Sequence, residues 1–287
     1  MRLILTTATR AALLGLAVLL GSPAMAEDSR HSGWYVSAGA GLGWMAEIKQ
    51  AGWNRDTICY PNDDCSQKAS IGGYQWFYDH DADRGNVFEF AVGRVLGTLR
   101  LELSANRREN DLGREFTGSS YLDGTPILPD TASGYTSQSV DLIDRLRTEG
   151  LQLNAYYDFP LAYGRLTPYL GAGIGASRVK LYGLVYRSGY SCDHSCDAEL
   201  SPPGAYNSWK DVDLRDTVFS AHLHAGADYS LTEHLQLGLK LTYSEVGDLR
   251  DTKGYIEHPI PDQVFRTKIS GMDHWSLLLN VKHRFGN

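Results

Sequence analysis

FSAHLHAGADYSLTEHLQLGLKLTYS, residues 219–244, decides how this chain folds. Phe219, Ala221, Leu223, Ala225, Ala227 and Tyr229 share one parity, and Ser220, His222, His224, Gly226 and Asp228 the other. After Thr232-Glu233 the pattern resumes, with Leu235, Leu237, Leu239, Leu241 and Tyr243 set against Gln236, Gly238, Lys240, Thr242 and Ser244. Successive side chains of a strand point to opposite faces, so a period of two predicts two antiparallel strands joined by a tight turn. One face is wholly apolar; the other carries charge, amide and glycine. Each run reaches about 9–11 residues, the length a tilted strand needs to cross a bilayer.

The same pattern recurs outward in both directions. Period-two runs occur at Trp34–Trp44, about Asn86–Leu96, Leu99–Arg107, Leu151–Phe159, Leu166 to about Leu181, and Trp275–Phe285. With the opening pair they make eight segments. A soluble sandwich also alternates, but its strands are shorter and its outer face meets water. Here Trp34, Trp44, Tyr157, Phe159, Tyr229, Tyr243, Trp275 and Phe285 end the apolar faces, as aromatics do at membrane interfaces. Three connections are short, at Gly97-Thr98, around Ala162–Gly164 and at Thr232-Glu233. Four are long, at about 46–85, 110–150, 187–216 and 246–273. This order predicts an all-β fold: an eight-stranded antiparallel transmembrane β-barrel with four long external loops and three short periplasmic turns. Closure removes the sheet edges that lipid would not tolerate.

Composition agrees. The 287 residues include 30 glycines and 17 tyrosines, and only 21% are charged, which points to β structure instead of long helices. A net charge of −7 with no basic stripe argues against a nucleic-acid partner. Residues 1–26 read as a cleaved signal peptide: Arg2 and Arg10 precede an apolar run, Ala11–Leu20, and Ala24-Met25-Ala26 offers a small-x-small cleavage site. Residues 27–287 then form a single barrel domain, with a net charge of −9 once both arginines are lost. Export changes the reading of the cysteines. Cys59 with Cys65, and Cys192 with Cys196, lie close together in polar stretches and are most simply two loop-closing disulfides. A metal held by Cys192, Asp193, His194 and Cys196 is the alternative, but no second cluster converges on that loop.

The stretches HSGWYVSAGAGLGW (31–44), LQLNAYYDFPL (151–161), LTPYLGAGIGAS (166–177) and WSLLLNVKHRF (275–285) resemble the opacity-type surface proteins and the barrel of outer-membrane protein A. The resemblance covers essentially the whole mature chain except the loops. It implies the outer membrane of a Gram-negative bacterium, insertion by the barrel assembly machinery, and contact with external surfaces through loops.

Inward parity collects Glu89, Arg100, Glu102, Asp158, His222, His224, Asp228, Lys240, Lys282 and Arg284, with Asn106, Asn154 and Asn280. Eight strands enclose a lumen only wide enough for side chains, so these charges are expected to pair into a plug; a narrow pore is the alternative. Ser220 with His222, and His274 with Ser276, share a face at strand spacing and raise a lipid-hydrolase reading. Neither pair has an obvious acid to orient the histidine or a glycine-rich oxyanion turn, so a non-enzymatic protein is expected. No nucleotide loop or strong metal spacing occurs, and no cofactor is expected. Attention falls on loop aromatics, above all Tyr74, Trp76, Phe77 and Tyr78, which run into Asp79, Asp81 and Asp83. Tyrosine and tryptophan bury large area at low entropic cost at binding surfaces. The alternative is that such rings pack the loops together or extend the sheet above the membrane.

Overall fold

The computed structural model describes residues 32–60, 63, 65, 71–127, 135–159, 164–192 and 208–285. The signal peptide expected over 1–26 lies outside them. Among the described residues fourteen strands are formed: β1 (Ser32–Met45), β2 (Ile48–Asn54), β3 (Tyr74–His80), β4 (Gly85–Leu96), β5 (Leu99–Asp111), β6 (Glu115–Tyr121), β7 (Tyr135–Leu142), β8 (Arg145–Asp158), β9 (Leu166–Cys192), β10 (Ser208–Ser230), β11 (Leu235–Val246), β12 (Leu249–Gly254), β13 (Val264–Ser270) and β14 (His274–Phe285).

Eight of these close on themselves in the order β10-β11-β14-β1-β4-β5-β8-β9, with β9 pairing back to β10, and every pairing is antiparallel. These are the eight segments read from the sequence, and the fold is an eight-stranded barrel. Gly97 turns β4 into β5 with a φ of 67°, a conformation an L side chain rarely adopts. Outward parity holds an apolar band that includes Leu101, Leu103, Leu153, Ile174, Leu239 and Leu279, all well exposed on the outer wall. Trp34 pairs with Phe285 near the turn end, while Trp44, Trp275 and Tyr243 sit side by side near the loop end. Lipid-facing bands bounded by aromatics have this form.

The long connections hold structure that alternation alone had not resolved. β1 continues as β2 after a two-residue break, β4 is preceded by β3, β5 continues as β6, and β8 is preceded by β7. β11 continues as β12 and β14 is preceded by β13, while β9 and β10 run on unbroken for 27 and 23 residues. A five-stranded sheet, β12-β13-β2-β3-β6, and the extended β7-β9-β10 part together stand as a second storey on the barrel. At the junction the faces exchange character. On β9, outward Ala172, Ile174 and Ala176 give way to Arg178 and Lys180, while inward Gly171, Gly173 and Gly175 give way to buried Val179 and Leu181. Below the junction the wall meets lipid and the interior is polar; above it the wall meets water and an apolar cluster packs the interior at the junction.

Candidate functional site

Three inward tyrosines shape the lower lumen. Tyr35, Tyr156 and Tyr169 each lie opposite a glycine of the neighbouring strand: Gly93, Gly171 and Gly226. A Cβ at any of these glycines would come within 2.3–2.5 Å of a ring atom, so the glycines are the floor on which the rings lie. The Arg100 guanidinium sits over two of the rings, 5.0 Å from the centre of Tyr156 and 4.4 Å from that of Tyr169, in cation–π contact.

Around it the inward charges meet. Arg100 Nη1 donates to Asp228 at 2.9 Å, and its Nε is paired with Asp158 at 2.9 Å. Lys282 bonds Asp228 as well, and Lys240 bonds Glu89. Glu102 is held by hydroxyls: Tyr35 and Tyr156 each donate to it at 2.8 Å, and the Asn154 amide adds a bond at 3.3 Å. His224 lies 3.0 Å from Thr242 and 3.2 Å from Asn154. Arg284 lies at the turn end of the same group, half-buried, paired in register with Tyr35 and within electrostatic reach of Asp158 and Asp228. Charges buried in this way are tolerated because they are compensated.

The Ser220 and His222 side chains do meet, at 3.0 Å. Ser220 is fully buried, its hydroxyl accepts a bond from Ser177, and the other nitrogen of His222 lies 2.9 Å from Ser244. The pair therefore faces the lumen, away from lipid, and no carboxylate orients the ring. His274 instead lies 3.2 Å from the Met272 carbonyl.

Above this network the interior becomes apolar. Ile48, Leu146, Val179, Leu181, Leu184, Leu214, Val246, Leu249, Phe265, Ile269 and Met272 form one buried cluster across the junction. Between the cluster and the polar lumen is a cavity of about 20 Å³, and lower down another of about 10 Å³. Each has room for no more than a water or two.

The second storey decides the aromatic candidates. All four lie on β3, which pairs with β2 and β6. Tyr74 and Tyr78 face inward at 9% and 4% exposure, the arrangement of the alternative in which such rings pack the loops and extend the sheet. Tyr74 packs against Tyr60 and Tyr121, and Tyr78 hydrogen-bonds Asp141 beneath the Arg114 guanidinium. Trp76 packs against the apolar cluster, while Phe77 faces outward. Strand alternation is the reason: Tyr74, Trp76 and Tyr78 share one parity of the paired strand and Phe77 takes the other. Asp79 is engaged by Lys49 at 3.6 Å. Cys59 and Cys65 are joined by a disulfide within the 55–73 connection. Cys192 ends β9, whereas Asp193, His194 and Cys196 lie outside the described residues, and with them the expected second disulfide.

Two cations escaped the reading of the sequence. Arg108 continues the inward parity of Arg100, Glu102, Ser104 and Asn106, and extending that count by one step would have found it. Lys210 gives no local signal. It is buried among four rings drawn from separate segments: Phe265 at 4.3 Å, Trp76 at 4.6 Å, Tyr186 at 4.8 Å and Tyr255 at 5.7 Å. Burial, reinforced by the nearby Arg114 charge and opposed by Asp141, lowers its pKa to about 7.

A closed eight-stranded barrel with a lipid-facing outer band, aromatic ends and a charge-paired lumen defines an outer-membrane barrel protein. The chain belongs to the outer membrane protein beta-barrel domain family, whose model matches residues 12–257. It therefore resides in the outer membrane of a Gram-negative bacterium, as the motifs implied. Major surface antigen 4 of Anaplasma marginale is 30% identical over 173 residues, 55% of this chain and 61% of that protein. An uncharacterised protein of Brucella abortus (strain 2308) is 39% identical over 93 residues, 32% of this chain and 28% of its own length. The matched regions thus span less than two thirds of either relative. Among solved structures, neisserial surface protein A is similar at 15% identity and a TM-score of 0.41, over 89% of this chain and 99% of that one. OprG of Pseudomonas aeruginosa is similar at 13% identity and a TM-score of 0.43, over 90% and 98%.

Proposed function

We propose that this protein is a non-enzymatic surface barrel that displays its external tips for adhesion or ligand contact and supports the integrity of the envelope. Outer-membrane lipid and the barrel assembly machinery are its partners during insertion, and an external cell-surface or host ligand is its partner afterwards. The observation that carries this reading is the second storey. Strand pairs continue past the lipid band around an apolar cluster, forming a strand-built pedestal that leads to the connections at 55–73, 122–134, 193–207 and 255–263. Binding residues set on a rigid scaffold are the usual arrangement for recognition by loops. The Anaplasma relative is named as a surface antigen, which agrees with display at the cell surface. The buried Ser220–His222 pair, turned away from acyl chains, gives a lipid hydrolase little to work with.

The test is adhesion. Cells displaying the protein are applied to epithelial monolayers and to immobilised matrix protein, beside cells whose four tips are replaced by short turns. The shortened barrel should still fold, shown by its heat-dependent gel shift, and bound cells should fall about tenfold, equivalent to ~1.4 kcal/mol of lost contact. Undiminished binding by a folded, shortened barrel would sink the display reading.

A further inference from the structure

The lumen charges balance without Arg108. Arg100, Lys240 and Lys282, with half-buried Arg284, stand against Glu89, Glu102, Asp158 and Asp228. Arg108 is a further cation, only 3% exposed, with no carboxylate partner among the described residues. Its Nη2 reaches the Met45 sulfur at 3.8 Å, while its Nε and Nη1 find no partner among the described residues. A guanidinium does not give up its proton in a protein, so it cannot escape burial by becoming neutral. An unpaired buried charge is among the most unfavourable features a fold can carry.

Arg108 also borders the cavity of about 20 Å³ beneath the apolar cluster. Thr148 and Ser276 hydroxyls and the Gln152 amide line the same space. His222 and His274 are the other titratable rings on it, and Glu89 is the one carboxylate on its lining, already bonded to Lys240. The space therefore combines an uncompensated positive charge, unpartnered N–H donors and neighbouring hydroxyls. We infer that it is an internal binding site for a small monovalent anion of halide size, chloride in the natural setting, which neutralises Arg108 and joins the polar lumen to the apolar cluster above. A void with room for about one or two waters admits a halide but not a tetrahedral oxyanion or an organic acid.

Bromide is the probe. Crystals of the refolded full barrel grown with bromide as the sole halide should show an anomalous peak beside Arg108. In micelles at constant ionic strength, replacing gluconate with chloride should stabilise the fold. Above half-saturation, each tenfold rise in chloride should lower the unfolding constant about tenfold. Arg108→Gln should lose both signals. If that variant does not fold, the bromide peak and chloride slope of the parent protein decide the matter alone. A cavity with water density, no anomalous signal and stability indifferent to chloride would overturn the site.

Discussion

Asp228 shows how much of the barrel interior rests on single carboxylates. It is 2% exposed and receives both Arg100 and Lys282. Removing its charge leaves two buried cations facing one another across the lumen, with Asp158 as the remaining close acid for Arg100. Asp228→Asn should therefore destabilise the barrel by about 3–5 kcal/mol, the usual penalty for breaking a buried pair from one side. The urea midpoint of the barrel refolded into vesicles measures it, and a change within error would mean that lumen water already screens these groups. The Tyr35–Gly93, Tyr156–Gly171 and Tyr169–Gly226 pairs work at the same scale, because each glycine leaves room for the ring that positions Glu102 or Arg100.

Among elements, β10 ties the two storeys together. Its lower half lines the lumen with Ser220, His222, His224 and Asp228, and its upper half carries Lys210 into rings from β3, β9, β13 and the β12–β13 connection. The lysine gives that packing a pH dependence. An unfolded lysine keeps its proton to about pH 10.4, whereas the folded one, lowered to about 7, releases it earlier. Between these values the unfolded state binds more protons, so stability must rise with pH. The unfolding midpoint should climb from about pH 7 to pH 9, below the range where unfolded tyrosines begin to ionise. Lys210→Met should flatten the climb; a slope shared equally by both proteins would assign it to other groups.

For the whole molecule, the question is whether the lumen conducts. The paired charges, the apolar cluster above them and cavities of about 20 and 10 Å³ leave little space for a hydrated ion. Refolded protein in a planar bilayer should give no steady single-channel openings. Reproducible openings from a barrel shown to be folded would raise the small-porin reading above surface display. The disulfide contributes little at this scale. Its six-residue separation closes a small ring, and loop-closure entropy grows with ring size.

The eight strands, their turns and the lipid-facing parity were legible in the chain because alternation is a local property and lipid demands it without interruption over each span. Even the exchange of faces on β9 is written there, as Ile174 and Ala176 yield to Arg178 and Lys180 on one parity while Gly175 yields to Val179 and Leu181 on the other. What stayed hidden was which inward side chains find partners. Arg100 and Asp228 are 128 residues apart, Lys240 and Glu89 are 151 apart, and the rings around Lys210 come from four segments. Register across a closed barrel fixes those meetings, and a closure condition belongs to all eight strands at once. The same holds for β3. Its aromatic run is attractive for binding in isolation, but pairing with β2 and β6 turns Tyr74 and Tyr78 into the storey's interior. Parity along one strand is decided by that strand's residues; burial, pairing and an unmatched charge such as Arg108 are decided only when the neighbours arrive.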